Sequence, residues 1–381
     1  MAGTAGRRGL KDAVLVGGGH AHVIVLRRFI EKPCPGLRLT LVSDEVEAPY
    51  SGMLPGLVAG HYAFDEAHIH LRPLAARAGA RFVEARVDGL DLDAGQVRLR
   101  GRAPIAFDLL SINVGSTPGM DGVPGAREHA LPVKPVPAFL ARWERLLERA
   151  AGSRSPLRLL VVGGGAGGVE LALSAQYALE RRAGADPDLR LVTGGDAILP
   201  GHGAGARRIL GRILGERGVR VETGRRVVAV EPGLARCGDG GTIPFDALFW
   251  VTGASAPAWL RRTGLALDAK GFIRVDWTLR SISDARVFAA GDVASVEGEP
   301  RPKSGVFAVR QGPLLADNLR RAARGRDLRR KVPQRRFLNL IGTGDEGAIA
   351  SYAGLAVEGS WVWRLKRWID RRFVRRFNAS R

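Results

Sequence analysis

The sequence predicts an α/β fold built from two Rossmann-like dinucleotide-binding domains, the second inserted in the first, with a short C-terminal region carrying an amphipathic helix. Three observations carry this prediction. An apolar strand, a glycine-rich turn and a helix start occur twice, at Ala13-Val14-Leu15-Val16-Gly17-Gly18-Gly19 and at Leu159-Leu160-Val161-Val162-Gly163-Gly164-Gly165-Ala166-Gly167-Gly168. An aspartate leading an apolar strand into a glycine turn also occurs twice, from Asp108 to Gly115 and from Asp246 to Gly253. Finally, Val287-Phe288-Ala289-Ala290-Gly291-Asp292 resumes the first unit after the second has ended. That order points to two dinucleotides on one polypeptide, one flavin and one nicotinamide.

At each turn the glycines let backbone approach a pyrophosphate, and the following helix aims its unpaired N–H groups and positive dipole end at it. The first turn reads G-x-G-x-x-H: Gly17 and Gly19 are followed by His20 and Ala21 at the helix start, and His22 stands where a third glycine would bring helix and strand close. A helix over Ala21–Ile30 and a strand over Leu37–Val42 follow. The acidic residue that holds an adenosine ribose falls about 20 residues or a little more beyond the turn, which leaves Ser43 or Asp44. The run Ala48 to Gly60, with Pro49 and Tyr50 near its start, describes a loop packed on something flat and partly apolar. A flavin ring would serve, and so would ordinary core. Strands around Ala80–Val87 and Gln96–Leu99 lead to the Asp108–Gly115 phrase, completing the first part of a flavin domain over residues 1–151.

Pro132–Pro137 reads as a stiff linker, Ala138–Ala151 as an amphipathic helix and Gly152–Pro156 as a break. A nicotinamide domain then spans residues 157–265. It has a full G-x-G-x-x-G (Gly163, Gly165, Gly168), a helix Gly168–Arg182, a strand Leu189–Thr193, a basic helix Ala204–Arg217, a strand Val219–Glu222 and the strand that ends at Gly253. The paired aspartate-to-glycine strands mark an internal duplication, each returning under its dinucleotide. Residues 271–330 form the second part of the flavin domain, with Gly291-Asp292 and a helix Ala308–Arg324; residues 331–381 form the basic C-terminal region.

With 381 residues, 45% hydrophobic and 25% charged, the chain has the composition of a soluble globular protein of two or three domains. No stretch approaches the ~18 uninterrupted apolar residues of a membrane span, and no secretory signal is visible near the start. Cys34 and Cys237 are far apart and in no C-x-x-C arrangement, which excludes a redox-active dithiol and makes a reduced cytoplasmic setting the default. A metal site is not expected: His61, His68 and His70 lack a further ligand at metal spacing. The net charge of +20 attracts polyanions, and much of it lies after Arg320, including Lys331, Arg335 and Arg336. From Trp361 to Phe377, apolar Trp361, Leu365, Trp368, Ile369, Phe373 and Phe377 recur at spacings of three and four among seven arginines and lysines. Such a helix suits an anionic membrane surface or docking on the protein's own core. No recognition fold accompanies the charge, so a nucleic-acid partner is not expected. A homodimer is left open.

The paired turns, both aspartate-to-glycine strands and the Thr278 to Asp292 segment resemble the FAD-dependent pyridine nucleotide oxidoreductase superfamily, over about Ala13 to Leu319. Within it the chain resembles type II NADH dehydrogenases. More narrowly, Val16–His22 with Pro49–Gly56 is similar to the flavoprotein module found ahead of selenide, water dikinase. The resemblance implies FAD as cofactor, NAD(P)H as co-substrate and a quinone or other small electron acceptor. It implies that Gly17, Gly19, Gly291 and Asp292 contact FAD, with His20, Ala21, Ser43, Asp44, Pro49, Tyr50, Gly115 and Ala308 around it. Gly163, Gly165, Gly168 and Gly253 would receive the nicotinamide dinucleotide, and Glu170 would lie by the nicotinamide. Of the quinone-associated glutamines only Gln311 remains, beside Ala308. Glu170 and Gln311 are thus the expected catalytic residues. Thr193-Gly194 replaces the acidic ribose ligand, leaving NADH, NADPH or weak nucleotide binding open, and the missing flavin-proximal cysteines argue against a disulfide reductase or a sulfide:quinone oxidoreductase. The expected location is the cytoplasm, peripheral on the inner face of the plasma membrane. A flavin-binding accessory module with weak dehydrogenase activity, serving a partner in selenium metabolism, is the alternative.

Overall fold

In the computed structural model the described residues are 10–299, 302–330 and 337–379. Lys331, Arg335 and Arg336 lie outside them. Two five-stranded parallel sheets dominate. In the first, the spatial order is Val287–Ala289, Leu109–Ile112, Lys11–Val16, Leu37–Ser43, Arg81–Glu84; in the second it is Leu131–Pro132, Ala247–Trp250, Arg158–Val162, Asp188–Val192, Arg220–Glu222. Each glycine-rich turn leaves the carboxyl end of the middle strand, where chain order reverses and a crevice opens.

The duplication holds at the level of single hydrogen bonds. Asp108 Oδ2 accepts the Asp12 N–H (2.7 Å), and Asp246 Oδ2 accepts the Arg158 N–H (2.8 Å). The Gly17 N–H donates to Val42 O and the Gly163 N–H to Val192 O, both at 2.8 Å. Each domain also carries an antiparallel three-stranded sheet, Val87–Asp91 with Gln96–Leu99 and Arg102–Ala106, and Val227–Glu231 with Leu234–Cys237 and Thr242–Pro244. The single strand expected at Ala80–Val87 is therefore two, Arg81–Glu84 at the edge of the parallel sheet and Val87–Asp91 opening the meander.

The linker also departs from expectation. Leu131–Pro132 already pairs with Phe249 and Trp250 of the second sheet. The next helix, Val136–Ala151, buries Phe139, Trp143, Leu146 and Leu147 in the second core, because that is where its apolar stripe finds cover. Pro137 sits in its first turn, where a missing N–H costs nothing. The expected Ala48–Gly60 loop is half helix: Leu54–Ala59 packs with Leu54 and Val58 in the same core, and Trp143 Nε1 donates to Val58 O at 3.0 Å.

After the helix Gly305–Ala323, the chain forms a three-stranded antiparallel sheet, Asn339–Gly342, Ala348–Tyr352 and Leu355–Gly359, followed by the helix Ser360–Asn378. The apolar stripe read from sequence splits between two faces. Val362, Trp363, Phe373, Val374 and Phe377 dock in the first core, whereas Trp361 and Trp368 are 52% and 57% exposed.

Candidate active site

The first glycine turn is fastened by a residue that sequence reading passed over, Asn113. Its Oδ1 accepts the N–H groups of Ala21 (3.0 Å) and His22 (3.3 Å), and its Nδ2 donates to Ala290 O (2.6 Å). One buried amide thus ties the start of the helix His20–Glu31 to the Gly291-Asp292 turn. Ala21 is correspondingly committed: its N–H is bound within the chain, and of the N–H groups from Gly17 to His22 those of Gly18 and His20 have no hydrogen-bond partner among the described residues. A signal existed in the duplication, where Asn113 stands opposite Val251: a side chain begun on Gly17 would sit 2.6 Å from Asn113 O, and one begun on Gly163 would sit 2.5 Å from Val251 O.

His22 replaces the third glycine without opening the turn. Its Nδ1 lies 2.7 Å from Gly17 O and its Nε2 2.8 Å from Ser111 Oγ. Burial pushes the ring down to about 4, so it is neutral; a carbonyl at Nδ1 requires the proton there, and Nε2 accepts from the Ser111 hydroxyl.

Gly291, at φ +73°, has Asn113 Nδ2 and Ala308 on its open side and donates its N–H to Gln311 Oε1 at 2.6 Å. Gln311 therefore positions the Gly291 turn. Asp292 accepts the Ser116 hydroxyl at 3.1 Å and has Lys134 Nζ at 3.9 Å, a cation also missed in the sequence. At the end of the strand Leu37–Ser43, Ser43 is buried and receives the Glu45 N–H, while Asp44 is exposed. Nothing fills the space beside the Gly115, Gly165 and Gly253 α-carbons within 4 Å, so backbone there is open to a ligand. Gly168 packs so closely on Gly163 O that a side chain has no room.

Between these turns sits a mixed aromatic and charged cluster. Tyr50, following Pro49, stacks on Phe373 at 4.6 Å, and His20 meets Tyr50 edge-on at 5.2 Å. Burial, with Lys134 next, pushes His20 down to about 4, and its Nε2 is buried without a partner. Glu170, in the helix Ala166–Ala183, accepts the Gly342 N–H at 2.6 Å. Lys366 Nζ donates to Gly52 O and to Asp370 Oδ2, each at 2.8 Å. Gly52, Tyr62, Glu170, Ser174, Trp363 and Lys366 line a cavity of about 10 Å³, room for about one water. Burial pushes the Glu170 carboxyl up to about 7 against the pull of Lys366. Lys366 and Asp370 were legible in principle, as an ion pair at i,i+4 on the helix face that also carries Phe373 and Phe377.

The three histidines diverge. His61 Nε2 lies 2.9 Å from Gly344 O and His68 Nδ1 2.7 Å from Phe64 O, while His70 faces Glu47. No group of three or more metal-capable side chains occurs among the described residues. Cys34 and Cys237 are both buried and free.

Two parallel-sheet domains, each with a glycine-rich turn at its switch point, define a protein of the two-dinucleotide flavoprotein class. The residues fit such cofactors: open space beside Gly165 in the second turn and beside Gly115 and Gly253 at the neighbouring strand ends, unused N–H groups at Gly18 and His20 in the first turn, and a buried, unpartnered His20 Nε2. The profile of the family described as pyridine nucleotide-disulphide oxidoreductase matches residues 11–312, and the chain belongs to that family. The chain is 24% identical over 340 residues to the NADH dehydrogenase-like protein YutJ of Bacillus subtilis, spanning 88% of this chain and 90% of that one. It is 27% identical over 298 residues to the demethylphylloquinone reductase NdbB of Synechocystis, spanning 75% and 72%. Among solved structures, the sulfide:quinone oxidoreductase of Aquifex aeolicus superposes with a TM-score of 0.81 at 20% identity, covering 97% of this chain and 92% of that one. The protein is an FAD-dependent oxidoreductase that takes electrons from NAD(P)H through the flavin to a small acceptor, and no catalytic cysteine pair takes part. No helix among the described residues is long and apolar enough to cross a membrane.

Proposed function

We propose that this protein is an NAD(P)H dehydrogenase whose acceptor is a quinone, reduced beside the Glu170, Lys366 and Asp370 cluster. The observation that carries the reading is the buried Glu170 carboxyl held near neutrality, 2.6 Å from Gly342 N–H and opposite a lysine that roofs the Tyr50–Gly56 segment. FAD, when bound, accepts a hydride and returns its electrons to the acceptor. The chain supplies the rest. Gly17, Gly19 and the His20 N–H cradle the flavin pyrophosphate, with Ala21 held in place by Asn113. Gly115, Gly291 and Asp292 contact its ribityl side, and Pro49, Tyr50 and Ala308 pack near its ring. Ser43 or Asp44 meets its adenosine ribose. Gly163, Gly165, Gly168 and Gly253 receive the nicotinamide dinucleotide, so that residues 1–130 and 271–330 serve the flavin and 157–265, joined by Leu131–Pro132 and the helix Val136–Ala151, serve the nicotinamide. Gln311 acts by holding Gly291.

Quinone reduction consumes two protons with two electrons, and a carboxyl that titrates near 7 delivers one where bulk water is excluded. Ferricyanide takes electrons and no proton. The test is therefore the ratio of quinone to ferricyanide turnover in Glu170→Gln: we expect that ratio to fall by at least about tenfold, and an equal fall with both acceptors refutes the role.

The outward face of Ser360–Asn378 supports peripheral attachment to an anionic membrane on the cytoplasmic side. Trp361, Leu365 and Trp368 fall on one line, flanked by exposed Arg364, Arg372 and Arg375. A homodimer through this face is the competing use. The narrower likeness to the module ahead of selenide, water dikinase rests on Val16–His22 and Pro49–Gly56 alone; a selenium compound in the acceptor panel tests that accessory role.

A further inference from the structure

We propose that the second dinucleotide site selects NADPH over NADH, and that Arg226 reads the 2′-phosphate. The inference rests on the assignment of the Gly163–Gly168 turn to the nicotinamide dinucleotide. In such a unit the end of the second strand faces the adenosine ribose. A carboxylate there holds the ribose hydroxyls and repels a phosphate, whereas a nearby arginine does the reverse. Here the strand Asp188–Val192 runs into Thr193-Gly194-Gly195, with no carboxylate at its end. Thr193 turns back over the glycine turn, its side chain 2.8 Å from where one on Gly164 would begin. Gly194 faces Arg226: a Cβ placed on it would lie 3.2 Å from Arg226 Cβ and 3.4 Å from Nε.

The contact is built into the fold. The Gly224 N–H donates to Gly195 O at 2.8 Å and the Arg225 N–H to Thr193 O at 2.9 Å, so the segment bearing Arg226 is fastened to the strand end. The neighbouring charges are already neutralised. Arg225 pairs with Glu222 and with Asp239 at 3.0 Å, and Arg190 reaches Glu222 at 3.6 Å. Arg226 is exposed and makes no ion pair or side-chain hydrogen bond among the described residues. An uncompensated guanidinium over a glycine, at the position of the ribose, suits a phosphate, whose oxygens match its planar fork. The nearest exposed carboxylate along the turn, Asp196, is the residue that would favour NADH if it reached the ribose.

The experiment titrates the flavin-loaded protein with NADP⁺, NAD⁺ and 2′,5′-ADP, following protein fluorescence, so that binding is read without turnover. We expect NADP⁺ to bind about ten- to a hundredfold more tightly than NAD⁺, the range of a charge-assisted phosphate contact. Arg226→Ala brings the ratio of the two affinities close to one, Arg226→Lys restores part of it, and 2′,5′-ADP competes with NADP⁺ only while the arginine is present. A wild-type preference for NAD⁺ that Asp196→Asn removes overturns the proposal and gives the ribose to Asp196. An affinity ratio unchanged in Arg226→Ala overturns it as well. In both cases the nicotinamide site itself stands; binding of neither dinucleotide overturns the site assignment and the proposal together.

Discussion

Replacing Glu170 with glutamine should make the protein more stable above neutral pH and leave it unchanged in acid. Burial raises the carboxyl from 4.5 to about 7, with Lys366 and the Gly342 N–H opposing the shift. At about 1.4 kcal/mol per unit, ionising Glu170 in the folded protein costs on the order of 3 kcal/mol. The unfolded carboxyl ionises near 4.5 and the folded one near 7, so between these values the folded protein retains a proton the unfolded chain has lost. Stability therefore falls as pH rises through that window, and the whole penalty is present above it. Glutamine does not titrate and still offers an oxygen to the Gly342 N–H, which lies 2.6 Å away in the parent. The value near 7 already includes the opposing pull of Lys366, which keeps Asp370 at 2.8 Å in the variant. The expected gain is about 3 kcal/mol at pH 8 and less than about 1 kcal/mol at pH 5. Urea unfolding of the flavin-loaded protein, followed by tryptophan fluorescence at both pH values, reads it as a shift in midpoint. A shift equal at both pH values, or larger at pH 5, refutes the reasoning.

Asn113→Ala strands the buried Ala21 N–H and the Ala290 carbonyl, while the His22 N–H keeps Gly19 O at 2.9 Å; at about 1–3 kcal/mol for each unsatisfied group, we expect loss of bound flavin, measured as visible absorbance per protein, with the Gly291 turn loosened. Gly163→Ala places a side chain 2.5 Å from Val251 O at φ +131°; NAD(P)H affinity should fall at least about tenfold while the flavin content of the purified protein persists. Lys366→Met leaves Asp370 buried without its cation and should cost about 3–5 kcal/mol, whereas Lys366→Met with Asp370→Leu should cost much less; a double variant no better than the single one contradicts the pairing. Trp361→Ser with Trp368→Ser should abolish co-sedimentation with anionic vesicles at low salt, and unchanged partition argues that this face serves another copy of the chain.

Much of the fold was legible because its signals are local. Apolar strands, glycine turns and the two aspartate-led strands each lie within about ten residues, and backbone near a pyrophosphate leaves a glycine at each close approach. The insertion of one domain in the other followed from order alone, since Val287–Asp292 repeats no earlier segment yet completes the first sheet between residues far apart in sequence. Where local signals were weak, so was the reading. The hairpin joining Ala348–Tyr352 to Leu355–Gly359 turns at Ala353-Gly354, with positive φ at both residues, and alanine there hides the turn.

The sequence by itself determined the two dinucleotide units, their order and the lack of a cysteine pair, because each depends on residue types at short, fixed spacing. Tertiary structure alone decided which partners those units acquired. Asn113 reaches Ala21, 92 residues away, and Ala290, 177 residues away. Lys366 reaches Gly52 across 314 residues. The direction of the C-terminal helix, burying Phe373 while exposing Trp368, was likewise fixed by the surface it met, since a helix with apolar residues on more than one face carries no local instruction about which face turns inward.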